Sequence, residues 1–310
     1  MGVIFGNLPT EVVEYIRDVF AQANNHVSRS LTVHPSMHEP GLDQSFVGYL
    51  NACPPAFFST SQAAVAIETH WLGGRGMYGR WEVADIAVFI LLRSRGHLVT
   101  RKVALLQTKR LYSREISGAE LEPTDYMIGI GRLVDRTEPE WPLSSQRTFR
   151  FDEKSTYSAL CSGSEQVAHI NLYSTAESMP VYYGLYNPLM VPYEGLYPCI
   201  RSVGIPEAND IGMRVLPADV VHQITNGKEK GKPPSYSELT FPAGGTHAPL
   251  AEHGWRIEDF VADEVLKCRQ GRLFSDTQDS ALQTLLYRRT APIQAAIVIT
   301  IDVSGSADPD

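Results

Sequence analysis

Two apolar runs joined by a short polar stretch, WEVADIAVFILLRSRG (81–96) and LVTRKVALLQTKRLYS (98–113), constrain this chain more than anything else in it. Each is rich in Val, Ile, Leu and Ala over strand length, and Ser94–His97, with Gly96 inside, suits a hairpin turn. The two runs are therefore expected to be antiparallel neighbours. Gln107 and Lys109 lie two residues apart, so the strand period of two puts both on one face. Asp85 stands at the head of the preceding strand. An acid, an amide and an ammonium then converge at one end of an apolar hairpin. Burying such groups without partners is expensive, so they must neutralise one another, hold an ion, or open into a cleft.

The rest of the chain surrounds that hairpin. With 310 residues, 43% apolar and 20% charged, it is long enough to bury a sizeable core, and disordered or fibrous classes are excluded. Residues 8–22 carry an apolar helical face opened by Thr10, and residues 1–33 read as an N-terminal helical segment. A short helix is expected from near Gly41, and a strand over 63–72. Residues 155–176 read as a helix, 180–188 as a strand ended by Pro188, and 254–272 as an amphipathic helix stopped by Gly271. A further helix (SALQTLLYRR) and a buried strand (IQAAIVITIDV) close the sequence. The stretch from about 114 to 150 reads as an insertion, and 191–310 as a C-terminal α+β extension. The four cysteines form no CxxC pair. The start lacks the basic residues of a secretory leader, and no apolar run reaches membrane length, so a cytoplasmic chain without membrane contact is expected.

A divalent cation would account for the polar set. Mg²⁺ seeks hard oxygen ligands, which the Asp85 carboxylate, the Gln107 side-chain oxygen and the Thr108 carbonyl could provide, with Mn²⁺ as a substitute. Lys109 would then polarise water or neutralise charge on a phosphate. The alternative is a buried Asp–Lys pair that only organises the hairpin.

The segment resembles the PD-(D/E)xK nuclease superfamily, in which an Asp on one strand precedes Glu-x-Lys on the next. QTKRLY (107–112) fits the Mrr-type variant, where Gln replaces the Glu. The resemblance spans roughly residues 39–188, within an expected nuclease-like core over 34–190. It implies a restriction-endonuclease-like αβββαβ core, a mixed sheet flanked by helices within the α/β (α+β) class. It also implies Asp85 as metal-binding Asp, Gln107 as the replaced ligand and Lys109 as catalytic Lys. No Pro precedes Asp85, which departs from the family pattern. Members often add an acid from the first helix, for which Glu39 is the match. Glu68 is the other candidate, because its strand is expected beside that of Asp85. Gln166, on the later helix, could face the site.

Charge gives a separate argument. The formal net charge is −8, against bulk coating of nucleic acid. Yet no acidic residue lies between Leu91 and Arg114, while Arg101, Lys102, Arg110 and Arg114 are basic. Arg75 and Arg80, in the glycine-rich GGRGMYGRW loop, join them as candidate contacts to a nucleic-acid backbone. The same charges could simply guard an edge strand. The resemblance implies a Mg²⁺-dependent endonuclease acting on DNA in restriction or antiphage defence. It would work with a sensor, helicase or ATPase partner, and a homo-oligomer would pair sites for both strands. A nucleic-acid-binding or scaffold module that has lost cleavage is the alternative.

Overall fold

The computed structural model describes residues 5, 7–72, 82–117, 147–161, 163–197, 205–240, 254–274, 276, 278–287 and 292–303. Arg75, Arg80 and residues 118–146 of the expected insertion lie outside these. The chain begins with α1 (Thr10–Val33) and α2 (Glu39–Asn51). It continues with β1 (Ala56–Phe58), β2 (Ala63–Trp71), β3 (Ala84–Ser94) and β4 (His97–Arg110). Then come β5 (Arg114–Ser117), β6 (Arg147–Phe151), α3 (Glu165–Ala176), β7 (Val181–Tyr186) and β8 (Tyr193–Tyr197). The remainder holds β9 (Arg214–Pro217), α4 (Ala218–Asn226), α5 (Tyr236–Thr240), β10 (Trp255–Arg256) and α6 (Ile257–Asp259). It ends with β11 (Arg272–Phe274), α7 (Ser280–Tyr287) and β12 (Ile293–Val303).

The architecture is mixed α/β, with an open mixed sheet in the order β1-β2-β12-β3-β4-β7-β9-β10 and β11 added on β4. A smaller sheet, β5-β6-β8, uses the two ends of the expected insertion. β3 is buried along most of its length, as are the last residues of β4, which explains their continuous rather than alternating apolar character. β4 and β7 run parallel, and α3 lies in the connection between them.

The largest departure from the sequence reading concerns residues 191–310. They are not an appendage, because β12 lies between β2 and β3, antiparallel to the first and parallel to the second. Its IQAAIVITIDV pattern is mostly buried, and a strand this apolar is most stable at the centre of a sheet. β2 is therefore one strand removed from β3. Nor is the N-terminal segment separate. α1 is longer than its apolar start suggested and packs on α2 and α6, and Pro9 rather than Thr10 occupies the cap position. The helix expected over 254–272 is shorter. α6 passes into a π-helical turn, Phe260–Val265, and the chain reverses to pair β11 with β4. Gly271 enables that reversal: its φ is +79°, and a Cβ there would lie 2.9 Å from the Val103 carbonyl oxygen.

A buried polar knot ties α1 to these later elements. Asn24 Oδ1 accepts from the Met213 amide at 2.7 Å, while Asn24 Nδ2 donates to Glu258 Oε2 at 2.8 Å. Asn24→Ala strands a buried amide and weakens the partnering of a buried carboxylate. It should cost about 2–4 kcal/mol in a urea titration.

Candidate active site

The hairpin has a left-handed tip at Arg95 and Gly96, φ +51° and +77°, as its primed-turn chemistry requires. Its register is the less obvious feature. Ser94 opposes His97 and Arg93 opposes Leu98, but Leu92 opposes Thr100, so the pairing slips by one residue at Leu92/Arg93. Carried on from the tip without that slip, the register would set Asp85 against Leu106. Because side chains alternate faces, Asp85 would then point away from Gln107 and Lys109. With the slip, Ile86 opposes Leu106, so Asp85 falls opposite Gln107. The irregularity is what gathers the motif.

Asp85 is densely hydrogen bonded. Its Oδ2 accepts from the Thr108 amide at 2.7 Å and from Gln107 Nε2, and lies 3.0 Å from Thr108 Oγ1, whose one proton it shares with Asp43. Its Oδ1 accepts from Gln294 Nε2 at 3.1 Å. Thr108, whose carbonyl is the expected ligand, meets Asp85 through its amide and its hydroxyl. Gln107 Oε1 is buried and has no hydrogen-bond partner. Lys109 Nζ lies 3.7 Å from Glu39 Oε2, and its charge also acts on Asp85 and Glu82.

Glu39 comes from the first turn of α2, and how it arrives there explains Arg110. The Arg110 guanidinium donates to the carbonyls of Pro35, at 3.0 Å, and Met37, and stacks 3.9 Å over the Tyr112 ring. Its backbone amide donates to Glu39 Oε1 at 3.2 Å. Arg110 therefore fastens the α1–α2 turn to the end of β4 and sets Glu39 beside Lys109. It is buried, and does not present its charge to a ligand.

Three other expected contacts stand in different surroundings. Lys102 is buried and donates to the Val265 carbonyl at 2.7 Å, with burial lowering its affinity for a proton. Arg114 is exposed but paired with Asp152. Arg101 opposes Leu91, six residues along β3 from Asp85, or roughly 20 Å at strand rise. A strand that joins the motif to basic residues in sequence thus separates them in space. Glu68 is no part of the site. With β12 between β2 and β3, it stands exposed against Val298 and lies 3.8 Å from His70.

Three further residues belong to the site. Asp43, one helical turn after Glu39, accepts from Thr108 Oγ1 at 3.1 Å and from Tyr186 OH at 2.8 Å. The i, i+4 spacing on α2 was the available signal. Glu82, three residues before Asp85, accepts from the same Gln294 Nε2 that reaches Asp85. Gln294 itself comes from β12, and no local sequence signal placed that strand here. Burial first, and then repulsion from Asp85, raises the carboxyls of Asp43 and Glu82 above their ordinary range. Burial likewise raises Asp85, against the pull of Lys109 and of the Thr108 and Gln107 donors. Among the described residues no group of three or more His, Cys, Asp or Glu side chains is arranged to hold a metal.

Tyr183 opposes Gln107 on β7, and its OH meets His222 Nε2 at 2.9 Å. His222 Nδ1 faces Asn171 Oδ1 at 2.8 Å, so the neutral tautomer with hydrogen on Nδ1 satisfies both contacts. Burial lowers the imidazole to about 4 from 6.5. The unfolded chain takes up that proton first on acidification. Its stabilising contribution is therefore full above pH 6.5 and is lost toward about pH 4, by on the order of 2–3 kcal/mol. His222→Gln should flatten that stretch of the stability–pH curve in urea melts.

Comparison with known protein families, curated proteins and solved structures finds no match to this chain. Among the described residues no helix is long and apolar enough to cross a membrane.

Proposed function

We propose that this protein is a metal-dependent nuclease of the PD-(D/E)xK type, in its Gln-x-Lys variant, hydrolysing phosphodiester bonds in DNA. The observation that carries the reading is the pairing of Asp85 with Gln107 across β3 and β4, with Gln107 Oε1 buried and unpartnered. An orphaned carbonyl oxygen beside a carboxylate crowded by other acids suits a hard divalent cation. Asp85 and Gln107 would hold Mg²⁺ or Mn²⁺. Such an ion supplies Lewis-acid polarisation of a phosphate oxygen.

The chain's own groups do the rest. Lys109, braced by Glu39, holds an ammonium where charge develops on the phosphate. Tyr186 OH donates to Asp43, and the Thr108 hydroxyl sits between Asp43 and Asp85 with one proton to give to either, while the Thr108 amide fixes Asp85. Gln107 contributes no charge, so the site should bind its ion more weakly than a site with two carboxylates at these positions. The restriction-endonuclease-like arrangement, a cytoplasmic role in restriction or antiphage defence, and a sensor, helicase or ATPase partner belong to the same proposal.

One observation favours a second reading, a nucleic-acid-binding or scaffold module without cleavage. Asp85, Gln107 and Lys109 are each at most 8% exposed, and Asp85 already has donors on both oxygens. The two readings separate on supercoiled plasmid, linear duplex and single-stranded RNA, each with Mg²⁺, Mn²⁺ or EDTA. The nuclease reading expects DNA cleavage that EDTA stops. Retention of DNA without cutting under any metal supports the scaffold.

A further inference from the structure

Four carboxylates lie near Asp85 or were expected to, and they differ in what they have left to offer. Both Asp43 oxygens are capped by hydroxyls, and the residue is 4% exposed. Glu39 spends one oxygen on the Arg110 amide and faces Lys109 with the other. Glu68 is on the far side of β12. Glu82 remains: half-buried at the head of β3, it accepts from Gln294 Nε2.

That amide nitrogen is shared between Glu82 and Asp85. A neutral amide bridges the two carboxylates but does not neutralise them. Burial first, and then the Asp85 charge, raises the Glu82 carboxyl. Gln107 donates to the other Asp85 oxygen and leaves its own Oε1 buried without a donor. Lys109 gives both acids one positive charge but no coordination position, and burial still raises them. A hard divalent cation supplies charge together with several coordination positions, including one for the orphaned oxygen. The Gln294 side chain can rotate its own oxygen toward such an ion.

We infer that Glu82, positioned by Gln294, supplies the second carboxylate of a divalent-cation site with Asp85 and Gln107 Oε1, in place of the acid that Gln107 lacks. The inference rests on the metal-site reading above and adds to it a residue from outside the motif. It also gives the inserted strand β12 a role, since Gln294 is the contact that holds the two carboxylates together.

Mn²⁺ titration of the metal-free full chain, followed by calorimetry and by the Mn²⁺ electron-spin signal, tests it without reference to activity. Glu82→Gln should weaken Mn²⁺ binding at least tenfold. It should also raise the metal-free melting temperature, because one of two crowded carboxylates is gone. Glu82→Asp, which keeps the charge on a shorter arm, should fall between wild type and Glu82→Gln. Glu39→Gln should change affinity less than threefold. Wild-type Mn²⁺ affinity in both Glu82 variants, with binding lost in Asp85→Asn, overturns the role of Glu82 and leaves the nuclease reading standing. A wild-type chain that takes up no Mn²⁺ overturns both.

Discussion

Asp85→Asn is expected to remove metal-dependent DNA cleavage, by about 10³-fold or more, while leaving the fold as stable as before or more so. The two halves of this expectation have one cause. Burial makes the Asp85 carboxylate costly in the metal-free chain, and its charge in turn raises Asp43 and Glu82. Asparagine keeps one oxygen for the Thr108 amide and hydroxyl and gives up the charge. Gln294 Nε2 keeps Glu82 as an acceptor, so few donors are stranded. A residue kept for stability alone would show the opposite pattern, with melting temperature falling along with activity. Cleavage rates on plasmid and thermal melts of the same preparation separate the two.

Lys109→Met should be costly in both respects. Cleavage should fall about 10²–10⁴-fold, the usual range when a positioned proton-carrying group is removed. Stability should also drop, by about 2 kcal/mol, because Lys109 is the cation beside Glu39, Asp85 and Glu82. The loss should shrink on acidification as the stranded Asp85 and Glu82 carboxyls, already raised by burial, take up protons, which urea titrations at pH 5 and pH 7.5 would reveal. Lys109→Arg is not expected to rescue activity, since a planar guanidinium does not replace a compact ammonium at a buried site.

The hairpin was legible in the sequence because its signals are local. Two continuous apolar strands, a glycine at the turn and a two-residue spacing between Gln107 and Lys109 required nothing from elsewhere. The facing of Asp85 and Gln107 was legible only as an expectation, because it depends on a register slip that no residue announces. What failed was long-range. β12 lies some two hundred residues beyond β3 in the chain, and its apolar pattern says that it is buried but not between which strands. That placement removed Glu68 and brought in Gln294. The basic residues misled for a related reason. Lys102 and Arg110 are charged in any sequence reading, but one is spent on a carbonyl of the π-helical turn and the other on the α1–α2 turn. Charge in sequence is a statement about solvent only if the side chain reaches it. Asp43 was within reach, one helical turn past Glu39, and Glu82 was three residues from Asp85.

The central claim is that β3 and β4 bring a carboxylate and a carboxamide oxygen together to seat a divalent cation. Crystals of the full chain soaked in Mn²⁺ and measured at the manganese absorption edge test it most directly. The account predicts one strong anomalous peak bounded by Asp85 and Gln107 Oε1, with the Gln107–Asp85 hydrogen bond broken to admit it. A peak elsewhere, or none, with that hydrogen bond intact at saturating Mn²⁺, would contradict it.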